Sequence, residues 1–182
     1  MKFTPSQISD VVVVEPVVHD DDRGFFMEVW HEQAFDEAGI DARFVQDNHS
    51  KSSGGVLRGL HYQVKQAQGK LVRVVAGEVF DVAVDLRKTS PTFGRWVGET
   101  LSATNKRSIW VPPGFAHGFF VTSESAEIVY RCTDYYAPQH ERTLLWNDPD
   151  VAIEWPSIGP GQPVLSAKDT AGDRLKEAEV YA

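Results

Sequence analysis

The feature that most limits how this chain can fold is a succession of short β-branched and aromatic runs with glycine and proline between them. Val11 to Val18 is one such run, ending at Asp20-Asp21-Asp22, and Phe25 to Trp30 follows the Arg23-Gly24 break. Phe44 to Ser50 is the next, followed by the loop Lys51-Ser52-Ser53-Gly54-Gly55, and then Val56 to Gln63 and Lys70 to Ala76. Ala76-Gly77-Glu78 turns into Val79 to Leu86, where alternation sets Val79, Asp81, Ala83 and Asp85 on one face. Arg95 to Leu101, Ser108 to Val111, Gly118 to Thr122 and Ala126 to Thr133 complete the set. Closely spaced short strands of this kind predict an all-β antiparallel sandwich or barrel. Helix is expected only at His31 to Ala38, stopped by Gly39, and at Asp173 to Glu179. The proline-rich stretch Asp148 to Pro163 is expected to wrap the surface.

With 182 residues and no boundary signal, the chain reads as a single domain over residues 1–182 with a substantial core. Its net charge of −8 argues against nucleic acid or an anionic membrane as a general partner. A local basic pocket stays open, with Arg23, Arg58, Lys70 and Arg73 as its candidates. The apolar run Val11 to Val14 is too short for a signal core or a membrane span. The single cysteine, Cys132, can form neither an internal disulfide nor a zinc cluster. That fits a reducing, cytoplasmic setting.

Chemistry concentrates in Val56 to Gln63, VLRGLHYQ, with Lys70 opening the next strand. An arginine, a histidine and a lysine pointing inward each need a partner, so packing alone is a poor reason for them. Together they offer an anion anchor, a proton acceptor near neutral pH and an oxyanion donor. Strict alternation puts Arg58 and His61 on opposite faces of the strand. They share a site only if Gly59 hosts a bulge or kink.

A second constellation is Val111 to Phe120, VPPGFAHGFF, where Pro112, Gly114 and His117 make a P-x-G-x-x-H pattern between strands. It resembles the second motif of the cupin superfamily, which implies a double-stranded β-helix, or jelly roll, with a few short helices. Metal-binding cupins carry H-x-H and a glutamate in their first motif. Here that place holds His61-Tyr62-Gln63, with no glutamate before Gly77. Two imidazoles fall short of the usual three protein ligands, so no metal is expected. Asp20 to Asp22 lacks calcium-loop spacing and reads as a solvated turn. Tyr130 reads as a strand tyrosine whose hydroxyl reaches a partner, with Tyr135 and Tyr136 equally placed by spacing. Asp169, in SAKDT, could orient a histidine; taken alone it is an exposed loop acid.

From about Phe3 to Asp169 the chain resembles the dTDP-4-dehydrorhamnose 3,5-epimerase family. The resemblance is carried by DDRGFFMEVW, VQDNHSKSSGGVLRGLHYQ, KLVRVVAGEVFDVAVDLRKTSPTFGRW, VPPGFAHGFF and YYAPQHERTLLWNDP. Each piece is weak alone; in this order they are highly specific. The resemblance implies inversion of C3 and C5 in a dTDP-linked 4-keto-6-deoxyhexose without cofactor or metal. It matches His61 to the proton-abstracting base, Asp169 to its acidic partner, Tyr130 to the acid on the opposite face and Lys70 to the residue beside the ketone oxygen. Arg23, Glu28, Gln46, Asp47, Asn48, Arg58, His117, Glu141 and Lys168 fall at substrate-contacting positions. The chemistry suits the residue types, because a proton next to a ketone is removable once the oxyanion is stabilised. A histidine works as a base near pH 7, and a carboxylate fixes its tautomer.

The family resemblance also implies a homodimer with exchanged N-terminal strands, and Val11 to Val14 would suit an edge pairing. Three other readings compete. They are an epimerase acting at only one of the two centres, a metal-dependent cupin enzyme, and a non-catalytic sugar-binding cupin.

Overall fold

The computed structural model describes residues 1–156 and 161–182. Its strands are β1 (Lys2–Pro5), β2 (Val12–Glu15), β3 (Val18–Asp21), β4 (Gly24–Met27), β5 (Gln46–Ser53), β6 (Leu57–Gln63) and β7 (Lys70–Ala76). They continue as β8 (Glu78–Asp85), β9 (Trp96–Ser102), β10 (Ser108–Val111), β11 (Phe115–Val121), β12 (Ser125–Cys132) and β13 (Glu141–Thr143). Helix is confined to α1 (Glu32–Glu37), α2 (Ala167–Thr170) and a 3-10 turn at Pro138–His140.

Two antiparallel sheets face each other. One runs β1-β2-β10-β7-β12-β5 and the other β13-β6-β11-β8-β9. This is the expected jelly-roll barrel. Alternation decides what fills it. On β7, Val72 and Val74 point inward; on β12, Ala126 and Ile128 do; on β8, Val79 and Ala83 do. They meet Ile109, Val111, Phe115, Phe119 and Val121 in one buried cluster, each large side chain contributing about 1.5–3 kcal/mol of transfer free energy.

The outer faces are also covered. Leu71, Val12, Val14 and Trp110 pack against Phe35 of α1, Ile40 and Ala42 on the first sheet. Leu60, Tyr62, Val82 and Val84 pack against Val151, Ile153, Trp155, Leu175 and Tyr181 on the second. The segment expected to wrap the surface therefore does lie on a sheet through Val151, Ile153 and Trp155. Its residues 157–160 lie outside the described residues.

Several expectations need correction. The run Val11 to Val18 divides into β2 and β3, and β1 before it was not anticipated. β2 is not an edge: it is flanked by β1 and β10. Asp20 and Asp21 belong to β3, paired with Phe25 and Gly24, so the turn is shorter than expected. Lys51 to Ser53 continue β5 rather than opening a loop, because β12 pairs with them through Ser125. His117 lies within β11, not between strands. Asp173 to Glu179 is not a helix. Its backbone is drawn into parallel bridges instead, with Leu145 N donating to the Asp173 carbonyl and Asp173 N to the Thr143 carbonyl. Only one turn survives there, with Ala178 N donating to the Arg174 carbonyl.

The conflict between Arg58 and His61 is resolved by register. His117 opposes His61 and Phe119 opposes Arg58, so Gly118 faces both Gly59 and Leu60. One extra residue on β6 turns odd spacing into shared facing. Gly59 has φ +122°, and a Cβ there would lie 2.6 Å from the Gly118 Cα and 2.8 Å from the His117 carbonyl oxygen. Gly59→Ala is therefore expected to lower stability by about 3 kcal/mol through backbone strain and overpacking, read from denaturant unfolding.

Candidate active site

A cavity of about 240 Å³ opens between the two sheets, lined by Arg58, His61, Lys70, His117, Tyr130, Tyr136, Glu141 and Lys168 among others. Each side chain arrives by a traceable route. β6 carries Arg58 and His61 through its bulge. Lys70 shares the inward face of β7 with Val72 and Val74. Tyr130 follows Ala126 and Ile128 along the inward face of β12. β6 belongs to one sheet and β12 to the other, so His61 and Tyr130 stand on opposite walls.

Behind His61 is a carboxylate from far along the chain. Asp169 Oδ1 lies 2.6 Å from His61 Nε2. Asp169 is buried, and α2 holds it in a capping box. Ser166 Oγ donates to Asp169 Oδ2 at 2.7 Å, and Asp169 N donates back to Ser166 Oγ. Burial alone would raise the Asp169 pKa. Hydrogen bonds from His61 and Ser166, the charge of His61 and the Gly59 N–H outweigh it and bring the group to about 2. An ionised carboxylate only accepts, so Nε2 of His61 is the donor and Nδ1 is the acceptor of the neutral ring.

A second imidazole–carboxylate pair lies beside the first. His117 Nε2 approaches both oxygens of fully buried Asp81, at 2.9 and 3.0 Å. Lys70 completes the floor. Burial holds its ammonium pKa below the usual lysine value, outweighing the charges of Cys132, Asp81 and Glu141 that push it up. The Tyr130 phenol is shifted upward, mainly by burial, which keeps its proton on at neutral pH. At the mouth, Lys168 Nζ donates to Glu141 Oε1 at 2.8 Å and Tyr136 Oη donates to Glu141 Oε2 at 3.0 Å. Burial opposes ionisation of Glu141, but these two hydrogen bonds hold its pKa below the usual range.

The other expected contacts are distributed differently. Arg58 Nε donates to Ser52 Oγ, with its head exposed at the rim. Gln46 and Asn48 are bonded to each other, and Gln46 Oε1 accepts from Tyr136 N. Asp47 faces the outer side, paired with Arg131 at 3.3 Å. Arg23 and Glu28 do not line the cavity. Arg23 sits on the separate β3–β4 hairpin, 90% exposed and paired with Asp21, and Glu28 follows β4 in solvent.

Sequence reasoning missed Ser166, Asp81 and the use of Gln63. The S-x-x-D spacing was the available signal for Ser166. Gln63 stands where a metal cupin would have histidine, and its amide pins the loop carrying Tyr136. Its Nε2 donates to the Gln66 and Tyr135 carbonyls, and its Oε1 accepts from Ala137 N. Among the described residues no three His, Cys, Asp or Glu side chains are grouped to hold a metal ion.

A model of the dTDP-4-dehydrorhamnose 3,5-epimerase family matches residues 5–177. The chain belongs to the dTDP-4-dehydrorhamnose 3,5-epimerase family. It is 59% identical over 182 residues to the dTDP-4-dehydrorhamnose 3,5-epimerase of Pseudomonas aeruginosa, covering 100% of this chain and 99% of that one. Among solved structures it is similar to the Legionella pneumophila dTDP-6-deoxy-D-glucose-3,5-epimerase RmlC, in complex with dTDP-4-keto-L-rhamnose. The TM-score is 0.93 and the identity 53%, covering 96% of this chain and 93% of that one. A more distant family neighbour is ChmJ, a 3'-monoepimerase from Streptomyces bikiniensis in complex with dTDP-quinovose. Its TM-score is 0.88 and its identity 35%, covering 95% of this chain and 87% of that one.

The depressed Asp169 pKa has a consequence for stability. A carboxylate held below its unfolded value stabilises the fold above that value and loses the contribution as pH falls through the folded one. The loss is expected between pH 3.8 and about 2. Asp169→Asn removes it, so denaturant midpoints of the variant are expected to fall less steeply than wild type across that window.

Proposed function

We propose that the protein is an isomerase that inverts both C3 and C5 of dTDP-4-dehydro-6-deoxy-D-glucose, giving dTDP-4-dehydro-L-rhamnose. The observation that carries the reading is the placement of His61, backed by Asp169 at 2.6 Å, and Tyr130 on opposite walls of one cavity. A sugar ring between them is addressed on both faces, as inversion demands. Nδ1 of His61 removes the proton next to the C4 ketone, and Asp169 stabilises the imidazolium that results. The electron pair of the broken C–H bond forms the C=C bond of an enolate while the C=O π pair moves onto the ketone oxygen, where the Lys70 ammonium offsets the charge. As the ketone re-forms, the C=C pair takes the Tyr130 proton from the other face; the phenolate is reprotonated from solvent and the imidazolium of His61 returns its proton to solvent. The diphosphate is held by charge-assisted bonds from Arg58 and Lys168 at the rim. Lys168 exchanges Glu141 for phosphate on binding.

The chemistry needs no redox cofactor, because the substrate is neither oxidised nor reduced. Family relatives with both activities share this barrel, so inversion at a single centre is the competing reading. Identity to the Pseudomonas aeruginosa and Legionella pneumophila 3,5-epimerases is 59% and 53%, against 35% for the 3'-monoepimerase.

The reading includes a homodimer working in the cytoplasm, with N-terminal strands exchanged between subunits. Two features support a partner. The β3–β4 hairpin stands apart from both main sheets, with Phe25 57% and Phe26 70% exposed. Arg23 on the same hairpin does not line its own cavity, so it is assigned to the mouth of the partner's. Among the described residues no helix is long and apolar enough to cross a membrane.

His61→Ala is expected to abolish incorporation of solvent deuterium at C3 and C5 while leaving the fold intact by circular dichroism; exchange at the wild-type rate would defeat the reading. Tyr130→Phe is expected to slow net inversion more than initial exchange, since it leaves the base in place. Light scattering is expected to give twice the chain mass. Arg23→Ala is expected to raise KM about tenfold, on the scale of one lost charge-assisted contact, with kcat nearly unchanged. A monomer of wild-type activity would overturn the dimer assignment.

A further inference from the structure

His117 lines the cavity, yet its carboxylate partner lies where no substrate can reach. Asp81 is fully buried on β8, and its only side-chain hydrogen bonds among the described residues are the two to His117 Nε2. A carboxylate at that depth is costly unless compensated by a donor or a cation. Its neighbours supply both. His117 opposes Ala83 on β8, two residues from Asp81 along the same inward face. The charge of Asp81 also acts on Lys70. The other ring nitrogen of His117, Nδ1, has no protein partner among the described residues. His117 and His61 are themselves cross-strand partners, so the two imidazoles stand side by side, each with Nε2 committed to a carboxylate.

We propose that Asp81 is a positioning residue: it fixes the ring of His117 with Nε2–H turned inward and Nδ1 toward the substrate. This rests on the epimerase reading and deepens it. Both oxygens of Asp81 are committed to His117 Nε2, while His117 shares its cavity with His61, Lys70, Arg58 and Tyr130.

Asp81→Asn keeps the size of the side chain and an oxygen that can accept from His117, but removes the charge. It is expected to lower kcat by about tenfold to a hundredfold with little change in KM. Because an amide can donate as well as accept, the neutral ring of His117 is expected to lose its single Nε2–H form in the variant, read by imidazole nitrogen NMR. A kcat deficit with the tautomer unmoved would show a merely structural role and overturn the proposal, as would wild-type kinetics. Should Asp81→Asn fail to fold, imidazole nitrogen NMR of the wild-type protein decides instead. A proton on Nε2 of His117 in its neutral form is expected, and a proton on Nδ1 there overturns the proposal. The NMR result stands whether or not the wild-type enzyme exchanges C3 and C5 hydrogens, so failure of the epimerase reading is distinguished from failure of the Asp81 assignment.

Discussion

The site depends on one irregularity in an otherwise regular barrel, the extra residue that β6 inserts opposite Gly118. Without it the β-strand period of two would send Arg58 and His61 to opposite faces. With it, both reach the cavity, and Leu60 and Tyr62 still reach the outer cluster. The two glycines make this possible in different ways. Gly59 takes a backbone angle that side chains disfavour, and Gly118 lets the strands approach to where a Cβ would meet the Arg58 carbonyl oxygen at 2.6 Å. The same backbone serves the dyad directly, since Gly59 N–H points at Asp169 Oδ1.

From that point the electrostatics follow. Two imidazoles stand side by side, and each is balanced by a carboxylate drawn from a different part of the chain, Asp169 from α2 and Asp81 from β8. The cations are arranged by depth. Lys70 is at the floor, between sheets whose burial weakens its charge, and Lys168 and Arg58 are at the rim where water still screens them. Chemistry that develops negative charge on a ketone oxygen suits the floor, and a diphosphate that carries full charge suits the rim. α2 joins the two ends, since Lys168 and Asp169 are adjacent residues on a single capped turn.

Most of the strands were legible because their pattern is local. β7, β8 and β12 are rich in β-branched and other apolar residues, and most of these are buried because both faces of the sheets are covered. Gly59 could be singled out as the place for a bulge because strand geometry left no other way to unite Arg58 with His61. Features set by distant partners were not legible. The His61–Asp169 contact spans 108 positions, so only the family resemblance connected the two. The C-terminal stretch has helical composition, yet its ends are taken by parallel bridges, Asp173 to Leu144 just beyond β13 and Tyr181 to Arg87. β1 was missed because four residues with only one half-buried position carry no period of their own. Arg23 and Glu28 matched family positions, but neither lines the cavity within the chain.

In the proposed reaction one sugar ring lies between His61 and Tyr130, and both carbons flanking the ketone exchange with solvent and invert. Wild-type enzyme turned over in deuterium oxide with dTDP-4-dehydro-6-deoxy-D-glucose, with the product read by proton NMR, reports both at once. Deuterium at C3 and at C5, each in inverted configuration, is the expected product. Deuterium at one of these carbons only, or inversion with retention of the original hydrogen, would contradict it.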